Sequence, residues 1–215
     1  MTTNYPTSID TFVNPTSNDS LNAPSHSQQH TNLNDAMVAV QTKLGYGNAN
    51  KVGAYLVNKT DFTGSGGIII DNCFNSNYEW YRIEGSWISS ASTYLNMQSR
   101  ITSGGVISTD NGTSYVFNEG GGAANYSQTY VRWSYSYAAS NCPSIFTTDI
   151  FNPISTTYKT TYTNKWMGSQ PNSSQFASTY SDGIYNSLSS MTGIYLYPSS
   201  GTITGTVRVY GLRDS

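Results

Sequence analysis

The chain reads as an all-β protein, an antiparallel β-sandwich preceded by an extended N-terminal arm and one short α-helix. Three observations lead there. Beyond Gly45 apolar and polar residues alternate with a period of two. Clusters of Asn, Gly and Pro interrupt that alternation at short intervals. Before Thr31 the chain carries few side chains worth burying.

From Tyr5 to His30 the residues are mostly Ser, Thr, Asn, Gln, Pro and His, with Ile9, Phe12, Val13 and Leu21 as the main apolar exceptions. Such a segment cannot offset its own ordering entropy and is expected to lie extended against another protein. The pattern changes at Thr31. Thr31 or Asn32 can cap a helix, Asn34 and Asp35 suit its first turn, and Gly45 suits its end. Leu33, Met37, Val40 and Leu44 follow at spacings of four, three and four, which puts them on one face. This predicts a short helix over 31–45 with an apolar seam. The seam is under two full heptads, too short to associate unaided. It points to a homo-oligomer, with a trimer favoured, in which the β body shares the interface.

The body is expected over 46–215. Candidate strands are Ala54–Val57, Gly67–Ile70, Tyr78–Ile88, Tyr94–Ile101, Ser114–Phe117, Thr129–Ala138, Ser144–Phe151, Tyr158–Gly168, Gly193–Tyr197 and Thr202–Leu212. Turn residues separate them, among them Asn72, Asn75 and Asn77, then Gly104 and Gly105, then Pro198 to Gly201. The last strand alternates most clearly, with Ile203, Val207 and Val209 on one side of the pleat and Thr202, Thr204, Thr206 and Arg208 on the other. In EWYRIEGSW the same rule puts Tyr81, Ile83 and Trp87 opposite Trp80, Arg82, Glu84 and Ser86. In TYVRWSYSY it puts Val131, Trp133, Tyr135 and Tyr137 opposite Arg132, Ser134 and Ser136. About ten short strands of this kind predict two packed sheets.

Ten basic residues stand against twelve acidic ones, and charged residues make up only 10% of the chain, below the roughly 25% of ordinary domains. A near-neutral surface has no footprint for nucleic acid or an anionic membrane, which both require clustered Lys or Arg. No apolar stretch approaches the roughly 20 residues that span a bilayer, and MTTNYPTSID lacks the basic and apolar regions of a signal peptide. A soluble chain made in a cytoplasm is expected, with no membrane insertion.

Candidate chemistry is sparse. Cys73 and Cys142 are the only cysteines and have no Cys-x-x-Cys spacing, so they read as two buried thiols or, after release into an oxidising medium, as a disulfide. His26 and His30 are four apart, the spacing that on a helix would offer both imidazoles to a metal. Here they fall in the arm, ahead of the expected helix, and no metal is expected. A glycan-cleaving site would need two carboxylates across a cleft. Asp61, Asp71, Glu79, Glu84, Asp110, Glu119, Asp149 and Asp182 mostly sit beside turn residues. A serine nucleophile would lack a histidine in the body. Gly120 to Gly122 is followed by no Lys-Ser or Lys-Thr and reads as a hairpin tip rather than a phosphate loop. No catalysis and no cofactor are expected.

Binding is the more open question. Eighteen tyrosines and four tryptophans are many for a core of this size. Trp80, Trp87, Trp133 and Trp166 read as core or inter-subunit residues, whereas Tyr126, Tyr130, Tyr180 or Tyr185 could stack on sugars.

Two stretches are familiar as patterns. The run F-x-N-P-x-S-x-D-x-L-N-x-P-x-H-S-x-Q-H-x-N-x-N-D-A, from Phe12 to Ala36, resembles the N-terminal segment of tailed-bacteriophage virion proteins of the fibre and decoration type. DNCFNSNYEWYRIEG and GIYLYPSSGTITGTVRVYGL resemble a jelly-roll module of phage structural proteins, in which an N-Y-x-x-Y-R-I strand and a closing S-G-T-I-T-G-T-V-x-V-Y-G strand recur. Between them, from Leu95 to Ser181, no motif is recognised. The resemblance implies a place in the virion, assembled in the host cytoplasm. It implies docking of the arm on a major capsid or tail protein through Phe12, Val13, Pro15, Leu21, His26 and His30. Two functions are compatible with it: a capsid decoration, head-fibre or tail component, or a tail-fibre adhesin that grips a host surface glycan.

Overall fold

The computed structural model describes residues 26–44, 53–103, 105–120, 124–136, 143–169 and 176–212. Phe12, Val13, Pro15, Leu21 and Cys142 lie outside these residues. The chain divides into two units, one running to Gly53 and the other from Ala54 to Asp214.

The first unit contains α1, His26–Leu44. It begins five residues earlier than the sequence pattern predicts. His-Ser-Gln-Gln-His contains no Gly or Pro and includes two good helix formers, so nothing after Pro24 breaks the helix, and a lack of apolar residues does not by itself prevent one. Thr31 and Asn32, expected as caps, sit inside the helix. His26 and His30 also belong to it, not to an extended arm. Leu33, Met37 and Val40 are exposed, and so is Val38 away from their seam; the Leu44 and His26 side chains lie outside the described residues. Among the described residues no helix is long and apolar enough to cross a membrane.

The second unit is built from thirteen strands among the described residues: β1 Ala54–Ser65, β2 Ile68–Ile70, β3 Trp80–Ser89, β4 Thr93–Ser103, β5 Val106–Thr109, β6 Tyr115–Glu119, β7 Asn125–Gln128, β8 Val131–Ser136, β9 Ser144–Phe151, β10 Thr160–Ser169, β11 Phe176–Tyr185, β12 Met191–Pro198 and β13 Ile203–Leu212. β5, β7 and β11 have no counterpart in the sequence reading, because VIST, NYSQ and FASTYSDGIY are short or too polar to show a clear apolar alternation. The strands form a sandwich. One sheet has eight strands in the order β1, β13, β3, β9, β10, β11, β6, β7; the other runs β2, β12, β4, β5, with β8 also on β4.

Underneath this order lies a simple rule. β1 pairs with β13, β2 with β12, β3 with β9 and β4 with β8, all antiparallel. These pairs are nested like the two arms of one long hairpin, and rolling that hairpin into two sheets gives a jelly roll. The remaining strands are two insertions. β5 to β7 interrupt the β4–β8 pair, and β10 and β11 follow β9. They meet where β11 pairs with β6, so together they widen the larger sheet beyond β9.

The pleat decides which residues face inward. Tyr81, Ile83 and Trp87 of β3 and Ile203, Val207 and Val209 of β13 are buried, as the alternation predicts, against Leu95, Met97, Ile194 and Leu196 of the other sheet. Each such side chain contributes roughly 1.5–3 kcal/mol of apolar burial. Gly85 has no Cβ, and the Phe146 ring of the partner strand occupies that place; an added Cβ would lie 2.2 Å from it. Outside, Arg82 and Asp149 face each other across β3 and β9 as a two-pronged ion pair at 2.8 and 3.0 Å. Trp80 stacks on Phe151 beside them.

β8 departs from strict alternation. Opposite Leu95 and Asn96 stand Ser134 and Arg132, which leaves Trp133 as an extra residue, a β-bulge. Trp133 and Ser134 are consequently both buried. Tyr135, expected to share a face with Trp133, is carried to the other side, where its ring meets Tyr94 edge-on at 4.7 Å. The larger sheet recovers the carbonyls that the bulged edge strand leaves unpaired. Asn164 donates to the Trp133 carbonyl at 2.7 Å, and Ser144 donates to that of Tyr135 at 2.8 Å. Thr148 in turn donates to Asn164 Oδ1 at 2.8 Å.

Candidate functional site

An eight-stranded sheet faced by a smaller one must overhang it, and the overhang forms the candidate site. Along most of β6, β10 and β11 the inner face is buried, through Tyr115, Phe117, Tyr162, Ser181 and Tyr185, but among the described residues Glu119, Trp166 and Thr179 at one end are only partly covered. A cleft of about 160 Å³ opens there at the β8 edge of the smaller sheet, lined by Tyr94, Arg132 and Ser134 from that sheet and by Glu119, Trp166 and Thr179 from the larger. Strand alternation places Glu119, Trp166 and Thr179 inward, on strands with no opposite number to bury them fully.

Arg132 sits at the centre of the cleft. Its guanidinium carbon lies 4.6 Å from the centroid of the Tyr94 ring, a cation–π contact. One of its nitrogens, Nη1, is 3.5 Å from Glu119 Oε2, a long contact that leaves most of its five N–H groups to other acceptors. About a third of each of these two side chains is exposed. Partial burial opposes the Arg132 charge, but Tyr130 beside it and Glu119 opposite outweigh that effect and keep it protonated. On the floor, the Ser134 hydroxyl accepts the Trp87 indole N–H at 2.8 Å, so its own O–H is the group left to donate. Asn96, paired across the strands with Arg132, has a buried Oδ1 without a hydrogen-bond partner. The cleft thus offers two aromatic walls, a paired cation and carboxylate, and two hydroxyls.

The sequence reading found this site only in part. Trp166, expected as a core or inter-subunit residue, is half-buried, packed against the core and lining the cleft as well. Of the four tyrosines considered for sugar contact, Tyr130 lies next to Arg132. Tyr126 and Tyr180 are exposed elsewhere, and Tyr185 is only 1% exposed, a core residue whose hydroxyl donates to Asp110. Glu119 figures in the sequence only among the carboxylates read as lying beside turns, and nothing there marks Tyr94 or Thr179 as site residues. Alternation did turn Arg132 outward, but strands far apart in sequence bring the other three to it.

The remaining candidates stay apart. Cys73 is a free, buried thiol whose pKa is pushed up to about 12 by burial, so it is neutral at ordinary pH. Among the described residues no group of three or more His, Cys, Asp or Glu side chains is placed to hold a metal ion. Gly120 has a positive φ, as a hairpin tip requires; Gly121 and Gly122 lie outside the described residues. No family model, no curated protein and no solved structure matches this chain.

Proposed function

We propose that the chain is a non-enzymatic structural protein of a tailed-bacteriophage particle, docked through its N-terminal arm and displaying the β-sandwich outward. The carrying observation is the nested strand pairing of the body. It gives a self-contained jelly roll with its own core, beginning at Ala54 after a segment that the division at Gly53 sets apart. The resemblance of Phe12–Ala36 to virion-protein arms supports the docking role. In this reading Phe12, Val13, Pro15, Leu21, His26 and His30 meet a major capsid or tail protein, and Leu33, Met37, Val40 and Leu44 join copies of the chain. Mass spectrometry and reconstruction of purified virions test the proposal. Copies at a multiple set by the capsid lattice support a decoration or head-fibre role. Absence of the chain from the particle overturns it, as does normal incorporation of a chain lacking residues 1–45.

The cleft beside β8 favours a second reading, a tail-fibre adhesin that recognises a host surface glycan. Aromatic walls with hydroxyls and a donor–acceptor pair between them suit a sugar ring. The soluble chain would then compete with virions for adsorption to host cells, and its copy number would be a small multiple at the tail.

A further inference from the structure

We infer that the cleft between Tyr94, Arg132 and Ser134 on one side and Glu119, Trp166 and Thr179 on the other binds one uncharged sugar ring through a pair of neighbouring hydroxyls. The inference rests on the adhesin reading and names the site and the class of sugar. Size comes first. A cleft of about 160 Å³ is of a size to take a single six-membered ring.

Charge then selects among rings. Arg132 and Glu119 cancel, and they lie 3.5 Å apart. A sugar carboxylate brought to Arg132 would meet Glu119 at nearly the same distance, so attraction and repulsion offset each other. Two adjacent hydroxyls suit the pair far better, one donating to the Glu119 carboxylate and the other accepting from the guanidinium. Thr179 adds a hydroxyl that can donate or accept, and Ser134, which already accepts from Trp87, an O–H to donate. The apolar C–H face of the ring has Trp166 to stack on, while the Tyr94 ring backs the Arg132 guanidinium.

Near the cleft, though not among its lining residues, lies a buried polar group without a partner. Asn96 is 4% exposed, and its Oδ1 has no partner; a buried amide oxygen left so costs free energy unless a donor arrives. It shares the outer face of β4 with Tyr94, two residues away, and stands across from Arg132.

Saturation-transfer NMR on the full chain tests this with methyl glycosides of glucose, galactose, mannose and N-acetylglucosamine, and with glucuronic and N-acetylneuraminic acids as charged probes. The expected result is transfer to the C–H protons of at least one neutral glycoside. Affinity should fall at least tenfold in Glu119→Gln and in Thr179→Val, both conservative enough to leave the fold intact, while the distant Tyr126→Ala behaves as wild type. Tighter binding of the acids, no transfer to any neutral probe, or binding unchanged in both cleft variants overturns the inference. Competition for adsorption separates the two claims. If wild type and cleft variants compete equally well, the adhesin reading stands and this site falls. If a neutral glycoside binds the cleft but the protein does not compete, the site stands and the adhesin reading falls.

Discussion

The indole nitrogen of Trp87 on β3 donates to the hydroxyl of Ser134 on β8 at 2.8 Å, one buried hydrogen bond that joins the two sheets across the core. Trp133, next to Ser134 and equally buried, has an indole nitrogen without any partner. Phe at either position removes the same ring volume, so the difference between the two isolates the bond. Trp87→Phe is expected to cost about 1 kcal/mol more than Trp133→Phe, measured by urea unfolding. Equal costs would show that the bond contributes nothing.

A second contrast concerns two buried phenols. The Tyr81 hydroxyl donates to the Asn75 carbonyl and accepts the Asn75 N–H, both at 2.7 Å, and so fixes the loop before β3. The Tyr162 hydroxyl is buried with no partner. Tyr81→Phe should therefore destabilise by about 1–2 kcal/mol, whereas Tyr162→Phe should be neutral or mildly stabilising. Thermal unfolding of the two variants decides between them.

Ion pairs of similar geometry should differ in worth. Arg100 meets Asp71 at 2.7 and 3.0 Å with only 11% of its side chain exposed. Arg82, paired with Asp149, is 40% exposed. Removing a carboxylate leaves the more buried cation uncompensated, so Asp71→Ala is expected to cost about 1–3 kcal/mol. Asp149→Ala should cost less than about 1 kcal/mol after solvent screening, and less still in high salt. Denaturant titration at two salt concentrations gives both numbers.

The tyrosine-rich core predicts a limit at alkaline pH. Burial pushes the Tyr81 and Tyr197 phenols up to about 12. It raises those of Tyr115, Tyr162 and Tyr185 as well. In the unfolded chain these groups lose their protons near the ordinary value of about 10. The folded state then binds more protons than the unfolded one, so stability is fully present below about pH 10 and falls as pH rises toward 12. Cys73 acts in the same direction. Tyrosinate absorbance followed alongside circular dichroism should show ionisation and unfolding in one transition; stepwise ionisation of an intact fold would contradict the burial.

The sequence by itself determined which residues of each regular strand face inward, because the pleat has a period of two and needs no knowledge of the partner. Ile203, Val207 and Val209, or Tyr81, Ile83 and Trp87, could be assigned to the core from their spacing alone. It likewise showed that an apolar-seamed helix precedes an all-β body, although not that the helix begins at His26. Strand pairing was beyond it, since the nested order joins residues as distant as Ala54 and Leu212 through contacts that leave no local period. The bulge at Trp133 was equally hidden. One extra residue opposite β4 turns Tyr135 away from the face that alternation gave it. The cleft follows from both facts. Glu119, Thr179 and Trp166 meet Arg132 and Tyr94 around the cleft only because β6, β10 and β11 extend the larger sheet beyond β9, and only the tertiary structure decides which strand ends come together there.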